Sequence, residues 1–217
     1  MDIRKINTLN RIKEGFITVL DTKKLSECTT NDIVNSAEIS KKTFYNYYQN
    51  KQDLLHEIEN ELLEGLKEAL IIDREELKDV KHLPGADEIK ELAEVAFNHT
   101  LAFCNENKHT LSNLLSSNGD MQFYQMIVEV ANNEFDARVP YLFGDINIKE
   151  ANVKSPLPFS FIKTLYINTI VNLLMLWGAA PDSLSINEIK SIAGLIQTKS
   201  PVELIQIYKS YLNSTKK

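Results

Sequence analysis

Between Ile39 and Gln52 the chain carries three lysines, Lys41, Lys42 and Lys51, and no acidic residue, although the protein as a whole has a formal charge of −6. Interleaved with them are Tyr45, Tyr47, Tyr48, Thr43 and Asn46. Lysine ammonium groups and tyrosine hydroxyls suit phosphate oxygens. Asn46 and Thr43 can exchange hydrogen bonds with base edges. A net negative charge argues against a polyanionic partner in general, so the local exception is the informative feature.

Those side chains need a scaffold that presents them on one side. Thr29 is a good N-cap for a short helix over Thr30–Ser36, with Asp32 at its third position. Ser40 caps a second helix over Lys41–Tyr47. Ala37 supplies a small residue where elements touch and Ile39 an apolar plug for the turn. Phe44 and Tyr48 are four apart and can bury together. Thr29–Tyr48 therefore reads as a helix-turn-helix. Ahead of it, Ile12, Phe16, Val19 and Leu20 make one face of a helix over Lys5–Asp21. Behind it, Leu54, Ile58, Leu62, Leu66 and Leu70 recur every four residues, predicting a long helix from Asn50 to Ile72.

The segment Thr29 to Leu55 resembles the DNA-binding motif of the tetracycline-repressor (TetR/AcrR) family. The resemblance rests on Thr29, Ile33, Ala37, Ile39, Ser40, Thr43, Phe44, Tyr45, Tyr48, Lys51, Leu54 and Leu55 in register. Thr43-Phe44-Tyr45 followed by Tyr48 and Lys51 is its most specific part. Three positions depart from the pattern: Glu38 stands at a turn position often held by glycine, Lys42 replaces a small residue and Val34 an alanine.

The resemblance implies that Tyr45 and Lys51 contact phosphates, together with Thr29 or Thr30 at the start of the helix over Thr30–Ser36. Lys41, Lys42, Thr43 and Asn46 become candidates for the major groove, with Ser40 at the cap beside them and Tyr47 serving backbone or bases. Phe44, Tyr48, Ile33, Ala37 and Ile39 are scaffold. It further implies a homodimer on a palindromic operator, acting by default as a repressor. A larger C-terminal domain would bind a small hydrophobic effector and dimerise.

The rest of the chain is compatible with that picture. Seven glycines and six prolines in 217 residues leave few breaks, which favours an all-α fold. The expected organisation is a DNA-binding domain over residues 1–50, the fourth helix connecting, and a helical domain over 73–217. The boundary is placed at the charged run Asp73–Lys81 and Leu83-Pro84-Gly85. Helices are expected at 87–106, 108–117, 120–138, 157–179, 185–197 and 201–213, with a long connection from Pro140 to Pro158. In the helix 157–179, Ile162, Leu165, Tyr166, Thr169, Ile170, Leu173, Leu176 and Trp177 form one stripe, and Ile167, Val171, Leu174 and Met175 a second face. An apolar helix of this kind is buried on both sides. With Ile189, Ile192 and Ile196 of the next helix it is the expected dimer interface. Thr164–Pro181 is uncharged and near the minimum length for a membrane span, but no basic cluster flanks it; a buried helix or subunit contact fits better.

Phe97, Phe103, Phe123, Tyr124, Met126 and Phe135 are candidates for an apolar effector cavity. His56, His82, His99 and His109 lack companions at metal-ligand spacing, so no metal and no cofactor is expected. Cys28 and Cys104 form no disulfide framework and read as reduced thiols in a cytoplasmic protein. No G-x-S-x-G, P-loop, GxGxxG or H-E-x-x-H pattern supports an all-α enzyme. A helical protein-interaction regulator without a small-molecule effector is the other alternative.

Overall fold

The computed structural model describes residues 3–79, 85, 87, 88, 92, 97–143, 157–179 and 184–214. Among them the regular elements are all helical: α1 (Ile3–Leu20), α2 (Thr30–Ser36), α3 (Lys41–Tyr45), α4 (Lys51–Glu76), α5 (Asn98–Glu106), α6 (Lys108–Leu114), α7 (Met121–Phe143), α8 (Phe159–Ala179), α9 (Ile186–Thr198) and α10 (Pro201–Ser214). The fold is all-α, as the scarcity of turn residues implies.

The chain forms two compact units. The first combines residues 1–68 with 103–130, the second 69–102 with 131–217. These divisions fall inside α4, α5 and α7; Leu83 and Pro84, at the boundary expected from the sequence, lie outside the described residues. The returning segment belongs with the first unit because α6 packs on α1. His109 Nε2 and Asn113 Nδ2 both reach Asp21 Oδ1 just beyond the end of α1, at 2.9 and 2.8 Å.

The core of the first unit is apolar: Ile12, Phe16, Leu20, Ile33, Phe44, Leu54 and Leu114 are fully buried. The crossing of α1 with α2 is close. A Cβ at Gly15 would lie 2.7 Å from Ala37 N and 2.8 Å from Ala37 Cβ. Ala37 is thus small because α1 abuts it.

Several expected element ends move. α4 runs past Ile72 to Glu76 because its charged end finds partners in the second unit. Asp73 is buried and accepts from His99 N, Thr100 N and Thr100 Oγ1 at 2.9, 2.9 and 2.6 Å. The helix expected over 87–106 is broken at Phe97, whose φ is 61°, so α5 starts at Asn98; residues 89–91 and 93–96 lie outside the described residues. α7 continues through Pro140 to Phe143, although proline forfeits a helix hydrogen bond. The remainder of the Pro140–Pro158 connection, from 144 to 156, is not among the described residues.

In the second unit α8 packs on α9, and α9 on α10. α8 is long and apolar enough to cross a membrane by length and composition, yet only 17% of its most apolar window is buried in the protomer. Burial on both sides is therefore not met within one chain. Ile167, Val171 and Trp177 point into the protomer, while Phe161, Ile162, Leu165 and Leu176 are exposed.

Candidate nucleic-acid interface

The geometry of the helix-turn-helix follows from its caps. Thr29 and Asp32 form a reciprocal capping box on α2: Asp32 N donates to Thr29 Oγ1 at 3.2 Å, and Thr29 N to Asp32 Oδ2 at 2.9 Å. The ammonium of Lys23 sits 2.6 Å from Asp32 Oδ1. The Lys23 and Thr29 hydrogen bonds hold the Asp32 carboxyl down to about 2. The helix start therefore carries a balanced ion pair, and Asp32 adds no net repulsion toward a phosphate. Ser40 Oγ accepts from Thr43 N at 3.0 Å and bonds Thr43 Oγ1 at 2.8 Å, fixing the start of α3. Asn46 ends α3 as its C-cap, so Tyr47, expected inside the helix, lies in the turn after it.

The turn between the helices is set by Glu38, whose φ of 49° is left-handed. Arg11 of α1 braces it. Its Nη2 donates to the carbonyls of Ala37 and Glu38 at 2.8 and 2.9 Å. This role of Arg11 has no local signature in the sequence, since its targets are backbone atoms of another element. Phe44 and Tyr48 bury behind α3, their ring centroids 5.8 Å apart. Tyr48 Oη donates to Glu57 Oε1 at 3.0 Å, and burial with this bond pushes the phenol up.

What remains outward is the predicted face. Lys41, Lys42 and Asn46 are exposed, Tyr45 is 54% exposed, and Thr43 and Tyr47 are half-buried. The structure brings these six residues together on and just after α3. Thr29 and Ser40 are exposed but spend their side chains on capping, and Thr30 is half-buried. Lys51 differs most from expectation. Its ammonium donates to the carbonyls of Leu25 and Cys28 at 2.7 and 2.6 Å, tying the loop before α2 to the start of α4. Two of its three protons are thereby used inside the protein.

Of the predicted effector aromatics, Phe103, Phe123, Tyr124 and Met126 belong to the first unit, Phe97 and Phe135 to the second. Phe123 is fully buried, and Phe103 packs on Gly65, where a Cβ would fall 2.3 Å from its ring. An open cavity of about 400 Å³ in the first unit is lined instead by Lys24, Leu25, Lys51, Leu55 and Asn118 among others. Of the predicted dimer residues, Ile162, Leu165, Thr169 and Leu176 are exposed, and Tyr166, Ile170, Leu173, Ile192 and Ile196 are half-buried. Trp177 and Ile189 are corrected to core, at 2% and 1% exposure. The Trp177 indole donates to Leu184 O at 3.0 Å, so neither residue presents surface to a partner. His56 lies 3.5 Å from Glu59; His82 is outside the described residues. Donor atoms of Asp73, Glu76 and His99 lie within 4.8 Å of one another, but Asp73 is engaged in capping α5.

Comparison with known proteins agrees with this geometry. Residues 20–58 match the family model of bacterial regulatory proteins, tetR family. No curated protein sequence matches the chain. A solved TetR transcriptional regulator from Streptococcus agalactiae 2603V aligns with a TM-score of 0.53 and 20% identity, over 91% of this chain and 97% of that one. At that identity the likeness speaks to the fold.

Proposed function

Taking as premise that this chain is a tetR-family regulator by its N-terminal DNA-binding domain, we propose that it acts as a homodimeric repressor on a near-palindromic operator. Lys41, Lys42, Thr43 and Asn46 read the major groove, and Tyr45 holds a phosphate, with Tyr47 beside it. Thr29, Thr30 and Ser40 offer the capped helix starts to the backbone, and the free proton of Lys51 adds a phosphate contact. The observation that carries this reading is the acid-free, lysine- and tyrosine-bearing surface of α3, exposed while Phe44 and Tyr48 anchor it from behind.

Paired recognition helices bind half-sites about 34–36 Å apart. Dimerisation is supported by the exposed apolar stripe Ile162, Leu165 and Leu176 on α8. A ligand held in the second unit that prefers one conformation of the dimer shifts the population toward a spacing that no longer fits the operator. α4, whose residues belong to both units as do those of α5 and α7, is the longest continuous element available to couple them.

The test is selection from a randomised duplex pool, followed by salt titration on the selected site. Wild type is compared with a Lys41→Ala/Tyr45→Ala variant, which spares the internally bonded Lys51. A palindrome, a steep salt dependence and a loss of at least ten-fold in the variant are expected. Failure of the wild-type dimer to select any sequence at low salt would overturn the reading.

A further inference from the structure

The second unit contains a guanidinium with one nitrogen left over. Glu134 on α7 serves two arginines at once. Arg74 Nη1 donates to its Oε2 at 2.6 Å, and Arg138 Nε, one turn further along α7, to its Oε1 at 2.7 Å. The three side chains are only 22%, 16% and 10% exposed for Arg74, Arg138 and Glu134. Within this partly buried trio one carboxylate thus answers two cations, an excess of one positive charge. Two further described acids of the unit are committed elsewhere: Asp73 to the start of α5, and Asp136 to Lys163 at 2.7 Å. Arg138 Nη2 is shielded from solvent and has no hydrogen-bond partner. A buried, charged donor left unmade is among the costlier features a fold can carry.

The Phe97 ring covers the guanidinium, 4.8 Å from Cζ. Phe97 holds that position with a φ of 61°, a left-handed backbone that bulky side chains avoid. Phe135 is three residues before Arg138, on the same face of α7. Its ring lies 5.5 Å from Tyr166 of α8. Burial pushes the Tyr166 hydroxyl up while the Arg138 charge pulls it the other way, so the guanidinium's field reaches that ring.

We propose that Arg138 anchors a binding site for a small organic carboxylate with an apolar body, closed in this conformation by the Phe97 ring. The carboxylate takes Nη2 and neutralises the surplus charge. Its apolar body replaces the Phe97 ring beside Phe135 and Tyr166. Phe97 is the part that moves, because leaving its left-handed backbone relieves strain. A monoanion fits better than a phosphate dianion, since one charge and one nitrogen are unmatched. The site deepens the effector reading and rests on it only for its regulatory meaning.

The experiment uses the full-length protein with benzoate and octanoate as probes, and benzyl alcohol and octanol as their neutral counterparts. Binding is followed by calorimetry and thermal unfolding. At least one carboxylate should saturate and raise Tm, with its neutral counterpart at least ten-fold weaker. Arg138→Gln should lower affinity at least ten-fold, and Phe97→Ala should raise it several-fold. If Arg138→Gln does not fold, the Phe97→Ala gain decides. Equal binding of acids and alcohols, or no carboxylate binding to wild type and Phe97→Ala, overturns the site. Operator release is measured separately. Carboxylate binding at Arg138 that leaves DNA affinity unchanged keeps the site and removes the effector reading. A compound that releases DNA equally from wild type and Arg138→Gln does the reverse.

Discussion

Glu38 occupies a left-handed turn that costs a non-glycine residue about 1 kcal/mol, and Arg11 offsets that cost by bonding the two turn carbonyls. Glu38→Gly should therefore stabilise the protein by roughly 0.5–1 kcal/mol, without loss of operator affinity. Arg11→Ala should destabilise it by about 1 kcal/mol. Urea unfolding of the two variants, and of the double variant, measures both effects and their coupling. A second contrast lies in adjacent rings. Phe44 is fully buried and Tyr45 is largely exposed. Phe44→Ala should cost about 3–5 kcal/mol of stability. Tyr45→Ala should leave the unfolding midpoint nearly unchanged while weakening DNA binding. A Tyr45→Ala variant that loses stability instead would make that ring scaffold.

At the scale of elements, close approach and buried charge decide. α1 crosses α2 with Gly15 against Ala37, and no larger side chain fits without moving backbone. Gly15→Val should destabilise by about 2 kcal/mol or more, seen as a lower urea midpoint with helicity retained before the transition. α4 carries Glu59, almost wholly buried with Oε1 unpartnered. Burial, followed by the nearby Asp120 carboxylate, raises its pKa to about 7. The folded state thus holds a proton that the unfolded chain releases near pH 4.5. Stability from this group is complete below that pH and falls as pH rises toward 7. Glu59→Gln should flatten the pH dependence between about 4.5 and 7 and raise stability at pH 7. Thermal unfolding across that range tests it; an unchanged slope would assign the dependence to other groups.

At the scale of the whole molecule, α8 presents Phe161, Ile162, Leu165 and Leu176 to solvent, and α10 adds Val202, Ile205 and Tyr208. Exposed apolar area of this kind marks an association surface. Leu165→Glu/Leu176→Glu should convert the proposed dimer to a monomer in sedimentation. It should also reduce operator affinity by orders of magnitude, because each half-site would then bind alone. A monomeric wild type would move the interface away from α8.

The helix-turn-helix and its outward side were legible in the sequence because their determinants are local. Caps at Thr29 and Ser40, the i,i+4 pair Phe44 and Tyr48, and an acid-free run of lysines act within a few residues of one another. So were the starts of α9 and α10, marked by Ser185 with Glu188 and Ser200 with Glu203. Only the tertiary structure decided where partners are distant. It placed Gly15 on Ala37, gave Arg11 a turn to brace and drew Lys51 onto loop carbonyls. It carried α4 on through Asp73 and turned Trp177 inward. It also left Arg138 with one unmatched nitrogen, since charge balance around a buried group depends on which helices pack together, and hydrophobic periodicity along one helix does not encode that.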